Sequence, residues 1–214
     1  MTNSGVKFLD RSRDWVRAKM DKLARGLDKQ SDGTIKPDHI TYIGLFMHIP
    51  IGVFIAVGSF YWAAVLLIIF GLFDALDGAL ARVQKSDSAA GMLLDASTDR
   101  IKEIFLYIGA AYYSIMLATP IGAVWAVAAC GASLCVSYVK AKGETAVRDT
   151  ELTPSQVNKL FADGIMRFEV RMTVLVIGLL ASQLLAALII ITVLSTYTTF
   201  DRLIRIQRKI MPHT

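Results

Sequence analysis

The sequence predicts an all-α integral membrane protein, with six transmembrane helices preceded by an amphipathic helix lying in the membrane interface. Three observations predict it. Of the 214 residues, 54% are apolar and only 19% charged, where a soluble domain carries about 25%. Three stretches, 39–73, 104–139 and 172–200, contain no Asp, Glu, Lys or Arg. Between them lie all the cations: nine Lys and Arg in 1–38, four in 82–102, six in 140–171 and four in 202–209.

The spans follow from length. About 20 helical residues cross a ~30 Å hydrocarbon core, so the two longer stretches must each fold into a hairpin. Their turns fall at Gly58-Ser59 and Thr119-Pro120, and the third stretch turns near Ser182-Gln183. As a single span, 172–200 would carry the basic C-terminus outside, against the positive-inside tendency. Six spans put both termini and every basic segment in the cytoplasm of what is expected to be a prokaryotic cell membrane. The net charge of +5 then describes a basic face beside anionic headgroups, and no nucleic-acid partner is expected. The first 36 residues are charged and lack an apolar core, so no signal peptide is expected.

Residues 1–36 are expected to form an amphipathic juxtamembrane helix and turn, and 37–214 a six-span transmembrane domain that would hold any active site. Within 5–28, Val6, Leu9, Val16, Met20, Leu23 and Leu27 share one stripe, flanked by Phe8 and Trp15. Such a helix suits the interface plane, and the alternative is packing against the bundle. Gln30–Thr34 is a turn, and Pro37-Asp38 starts the first span, with Asp38 available to accept N–H bonds. The second span covers about 61–82, the loop 83–90, and the third span begins near Gly91. The fourth ends at Ser137–Lys142, the polar segment 143–163 contains a helix restart at Thr153-Pro154-Ser155, and the fifth follows Arg167–Arg171. Cys130 and Cys135 read as packing residues, and His39, His48 and His213 show no ligand spacing.

Four aspartates break this pattern where two spans meet. A carboxylate inside a membrane costs roughly 2.5–3.5 kcal/mol by insertion scales. Asp74 and Asp77 are three apart and Asp95 and Asp99 four apart, so each pair shares a helix face. The short loop makes the two helices antiparallel neighbours and brings the pairs together. Converging oxygen donors suit Mg²⁺ or Mn²⁺, hard cations that also bind phosphate. Two such ions about 3.5–4 Å apart could bridge a diphosphate. Gly78 and Gly91 allow close approach, Ala81 keeps the next turn small, and Arg82 can clamp a phosphate. The alternative is that the aspartates simply pair with Arg82, Arg100 and Lys102.

At these positions the chain resembles the CDP-alcohol phosphotransferase family, whose signature is DxxDGxxARx₈GxxxDxxxD. Asp74, Asp77, Gly78, Ala81, Arg82, Gly91, Asp95 and Asp99 match all eight fixed positions. The resemblance extends to the six-span plan and to Pro37-Asp38-x-x-Thr41, which adds Asp38 and Thr41 to the nucleotide and diphosphate contacts. It implies transfer of a phosphatidyl group from CDP-diacylglycerol or a related CDP-lipid to an alcohol, with release of CMP, by a homodimer among membrane lipids. It also implies that Asp74, Asp77 and Asp95 hold two metal ions, and that Asp99, beside a metal, is the general base.

The acceptor is read from the surrounding residues. Asp95-Ala-Ser-Thr-Asp99-Arg100 resembles the phosphatidylinositol phosphate synthase branch, whereas the phosphatidylglycerol phosphate synthase branch more often has Pro after the third Asp and Lys after the fourth. Lys140, Arg171 and Arg202 match the cations that the first branch uses for its acceptor's phosphate. The chain departs from that pattern at Arg167-Phe-Glu-Val-Arg171, where the first arginine is displaced and the proline missing. Inositol phosphate is therefore the expected acceptor and glycerol 3-phosphate the alternative; positive-inside anchoring would also explain those cations. A membrane prenyltransferase would place a third Asp where Ala81 stands. A cation transporter could use intramembrane aspartates, but such proteins commonly show repeats that this chain lacks.

Overall fold

A computed structural model describes residues 18–117, 119–147 and 164–210. Residues 5–17 of the amphipathic stripe and the restart at Thr153–Ser155 lie outside them. The described residues form seven helices and no strand: α1 over 18–31, α2 Pro37–Ala56, α3 Phe60–Gln84, α4 Ala89–Met116, α5 Pro120–Val147, α6 Phe168–Leu180 and α7 Leu184–Ile210. They divide into two compact units. One comprises α1, the first part of α2, the last part of α3 and the first part of α4; the other comprises the remaining parts of those helices with α5, α6 and α7.

The turns fall where the sequence places them, and their backbone shows why. After α2, Ser59 N–H bonds to Phe54 O and Gly58 N–H to Ile55 O, with Gly58 left-handed at φ +76°, a Schellman end that favours glycine. After α6 the same pair of bonds runs from Gln183 to Gly178 and from Ser182 to Leu179. There Ser182 adopts φ +55°, so this hairpin closes without Gly or Pro. Lys85 after α3 and Asp32 after α1 repeat the device at φ +52° and +51°. The loop expected over 83–90 narrows to 85–88, because α3 continues to Gln84 and α4 begins at Ala89. Helix α5 likewise runs beyond Lys142 to Val147.

Among the described residues, four helices, α2, α3, α5 and α7, are long and apolar enough to cross a membrane. Large apolar side chains such as Phe46, Trp62, Val127 and Val193 are exposed on them, as expected of lipid-facing surface. The other two expected spans depart from that description. Helix α4 has 28 residues, but Asp95, Asp99, Arg100 and Lys102 occupy its first half and Glu103 follows at once. Helix α6 has 13 residues, which at a rise of 1.5 Å spans about 20 Å, short of the hydrocarbon core.

In the first unit, α1 turns Met20, Ala24 and Leu27 onto Ile40 of α2 and onto Ala79 and Leu80 of α3. Part of the apolar stripe expected to face acyl chains therefore packs on protein, while Leu23 remains 57% exposed. Gln84 ties the α1–α2 turn to the end of α3 by donating to Asp28 Oδ1 and Ile35 O, both at 2.8 Å.

In the second unit α5 packs along α7, Ser133 of α5 meets the Tyr107 hydroxyl of α4 at 3.0 Å, and Ala187 of α7 packs on Gly178 of α6. Small residues bring membrane helices close. The same holds where α2 meets α4, since a Cβ at Gly52 would stand 2.7 Å from Phe105 O. A buried ion pair joins α6 to α4: Arg171 Nε and Nη2 donate to the two oxygens of Glu103 at 2.7 and 3.0 Å.

Candidate active site

Helix α3 delivers Asp74 and Asp77 near its C-terminus, and the four-residue loop returns the chain so that α4 delivers Asp95 and Asp99 from its first turns. A cavity of about 300 Å³ opens between these helices and the start of α2. Asp38, Thr41, Asp74, Asp77, Gly78, Ala81, Gly91 and Asp95 all line it. Lys36, Pro37, Ser86, Asp87, Ser88 and Met92 complete the wall. Of these, Pro37 belonged to the matched motif; sequence spacing had not marked the others, because a loop residue's reach is set by the turn at Lys85.

Asp77 is the most enclosed of the four aspartates, 5% exposed. Thr41 Oγ1 donates to its Oδ2 at 2.7 Å and Gly78 N–H to its Oδ1 at 2.6 Å. Two donors fix the carboxylate's rotamer, and each oxygen keeps a lone pair for another partner. Asp38 sits in the first turn of α2, where a helix N-terminus favours a negative charge.

Asp74 and Asp99 are held differently. The Lys102 ammonium, on α4, donates to Asp74 Oδ1 at 2.5 Å and to Asp99 Oδ1 at 3.4 Å, and its side chain is wholly buried. Arg100 stands 3.6 Å from the other oxygen of Asp99. Asp99 is not among the residues that line the cavity. Arg82 is not either: its Nη2 reaches Asp21 Oδ1 of α1 at 2.8 Å, with both side chains partly exposed. The simple pairing weighed against a metal site is thus real for Lys102 and Arg100, while Arg82 pairs elsewhere.

Among the described residues, no three carboxylate, imidazole or thiol groups stand close enough to share one ion. The donor chemistry nevertheless fits a hard divalent cation, because Asp74, Asp77 and Asp95 present oxygen only to one open cavity. Lys102 occupies one oxygen of Asp74, Oδ1, and an ion at Asp74 would stand close to that ammonium.

The three expected acceptor cations lie in the second unit. Lys140 has an exposed ammonium 3.8 Å from Glu144. Arg171 is fully buried and spends three of its five N–H groups, two on Glu103 and one on Met166 O at 2.7 Å. Arg202, 4% exposed, donates to Val136 O at 3.3 Å, and Gly164 leaves room for its guanidinium.

The sequence profile described as CDP-alcohol phosphatidyltransferase matches residues 34–200. The chain belongs to the CDP-alcohol phosphatidyltransferase family. Its long apolar helices mark it as an integral membrane protein. Among relatives, the phosphatidylinositol phosphate synthase of Corynebacterium glutamicum is 35% identical over 114 residues, 51% of this chain and 52% of that protein; the match thus spans about half of that relative's length. The archaetidylinositol phosphate synthase of Methanothermobacter thermautotrophicus is 28% identical over 195 residues, 88% of this chain and 92% of that one. The crystal structure of Mycobacterium tuberculosis phosphatidylinositol phosphate synthase with CDP-DAG bound matches with a TM-score of 0.74 at 23% identity, covering 87% of this chain and 92% of that chain. Its complex with manganese and citrate matches equally, at 22% identity and 88% of each chain. These likenesses show that this chain shares their fold.

Proposed function

We propose that the enzyme transfers the phosphatidyl group of CDP-diacylglycerol, or a related CDP-lipid, to a hydroxyl of inositol phosphate and releases CMP. One observation carries the reading: six of the eight signature residues line a single cavity together with Asp38 and Thr41. In this reading Gly78, Ala81 and Gly91 keep the walls low for the nucleotide, which Asp38 and Thr41 contact, and Arg82 neutralises the diphosphate. Asp74, Asp77 and Asp95, with Asp99 beside them, would hold Mg²⁺ or Mn²⁺, two ions in the family pattern. Bound there, the cations would neutralise diphosphate charge and stabilise the attacking and leaving oxygens. The manganese in the M. tuberculosis complex supports that choice.

The acceptor's hydroxyl oxygen attacks the lipid-side phosphorus while its proton passes to the Asp99 carboxylate. The bond from that phosphorus to the bridging oxygen breaks, and its electron pair leaves with CMP. Lys140, Arg171 and Arg202 supply positive charge for the acceptor's phosphate. Arg171 does so while anchored to Glu103, and Lys140 offers the exposed ammonium. The names of the relatives support inositol phosphate over glycerol 3-phosphate.

The proposed topology keeps six spans, with α4 and α6 completing the crossing beside other helices, and places the active site and both termini in the cytoplasm of a prokaryote. Residues 1–36 form the juxtamembrane segment, in which α1 lies along the membrane interface with Lys19, Lys22 and Arg25 toward headgroups. A homodimer is the expected assembly. The test is a panel of acceptors (inositol phosphate, glycerol 3-phosphate, free inositol and serine) offered with radiolabelled CDP-diacylglycerol. Label should enter lipid with inositol phosphate; preference for glycerol 3-phosphate would overturn the acceptor and leave the transfer standing.

A further inference from the structure

We propose that Lys102 is a resident counter-cation of the aspartate cluster, one that joins Asp74 to Asp99 in the metal-free enzyme and restrains metal loading. The proposal rests on the metal-dependent reading above and deepens it. Its ammonium contacts one carboxylate from each of the two aspartate pairs, Asp74 at 2.5 Å and Asp99 at 3.4 Å, and the side chain is wholly buried. The α2 side of this contact is closed by Gly44. A Cβ there would stand 3.6 Å from Asp74 Oδ1 and 3.8 Å from Lys102 Nζ. The ammonium is thus enclosed by protein and not by water.

Burial of a lone charge is expensive and burial of a paired one much less so. Without a cation between them, Asp74 and Asp99 would repel across the same enclosed space. Lys102 removes that repulsion, so the cluster can fold before any ion arrives. The same charge opposes the ion: a divalent cation that takes Asp74, through Oδ2 or by drawing Oδ1 away from Lys102, must sit near the positive charge of that ammonium. Lys102 retains Asp99, three residues back on the same helix, and so is not left unpaired. A flexible stem carrying a compact charge suits this exchange better than a guanidinium fork does.

The test is Mn²⁺ binding to the purified full-length enzyme in lipid nanodiscs, followed by electron paramagnetic resonance, with thermal unfolding of the chelator-treated protein alongside. Lys102→Met removes the charge and keeps the bulk. It should bind Mn²⁺ roughly tenfold more tightly or better, melt lower when stripped of metal, and gain more from added Mn²⁺. Lys102→Gln carries the same prediction if the methionine variant does not fold. Lys102→Arg keeps the charge and should not bind more tightly than wild type. Unchanged or weaker Mn²⁺ binding in the neutral variants, with normal binding by wild type, would overturn this proposal alone. Absence of Mn²⁺ binding in wild type and variants alike would overturn the metal reading with it.

Discussion

Thr41 on α2 donates its hydroxyl proton to Asp77 on α3 across 2.7 Å of buried space, so a residue expected to touch nucleotide also fixes the orientation of a proposed metal ligand. Groups that orient a ligand typically matter by 10–100-fold. Thr41→Val should therefore lower activity about tenfold or more by that scale and raise the metal concentration needed for half-maximal rate. Thr41→Ser should retain most of both, and steady-state CMP release over a Mn²⁺ titration separates the two variants.

Arg82 is turned to Asp21 rather than into the cavity, and both side chains are partly exposed. An exposed pair contributes at most about 1 kcal/mol, so the diphosphate can compete for the guanidinium. Asp21→Asn should leave thermal stability nearly unchanged and not weaken donor binding. Arg82→Ala should raise the KM for CDP-lipid several-fold, since a charge-assisted bond is worth about 1.5–3 kcal/mol. Equal effects of the two substitutions on donor KM would contradict this assignment.

Arg171 and Glu103 form the best-defined ion pair of the second unit, and both side chains are 1% exposed. Removing one partner of such a pair costs about 3–5 kcal/mol because the other charge is left buried. Arg171→Met should accordingly unfold at much lower temperature in detergent, and Arg171→Met with Glu103→Leu should recover much of the loss. A double variant that melts normally but shows a raised acceptor KM would be expected if Arg171 also serves the acceptor's phosphate.

Gly109 and Gly52 let α4 and α2 meet backbone to backbone; a Cβ at Gly109 would collide with the Gly52 carbonyl. Overpacking a close contact typically costs about 1–3 kcal/mol. Gly109→Ala should lower the melting temperature, whereas Gly131→Ala, with nothing within 4 Å of the added carbon, should be neutral or slightly stabilising. Thermal melts of the two variants check the contrast.

Much of this was legible in the chain. Charge-free runs located the three hairpin turns within them, because a polar backbone in lipid leaves helices and hairpins as the economical solution. The aspartate spacing with its glycines placed six signature residues on one cavity wall. What spacing could not show was where long side chains end. Lys102 and Arg82 each had several acidic partners within reach, and only the folded arrangement chose Asp74 and Asp99 for one and Asp21 for the other. The charge in the first half of α4 and the shortness of α6 were equally invisible to a count of apolar stretches, since α4's charges precede its stretch and Ser182 makes its turn without glycine.

The aspartate cavity is proposed to carry out metal-dependent phosphatidyl transfer. The most direct measurement is CMP released from CDP-diacylglycerol by the purified enzyme with inositol phosphate present. Release should require Mg²⁺ or Mn²⁺, stop with EDTA, return when the metal is restored, and be lost in Asp99→Asn. CMP release that persists in EDTA, or an intact CDP-lipid beside cation flux into liposomes, would contradict it.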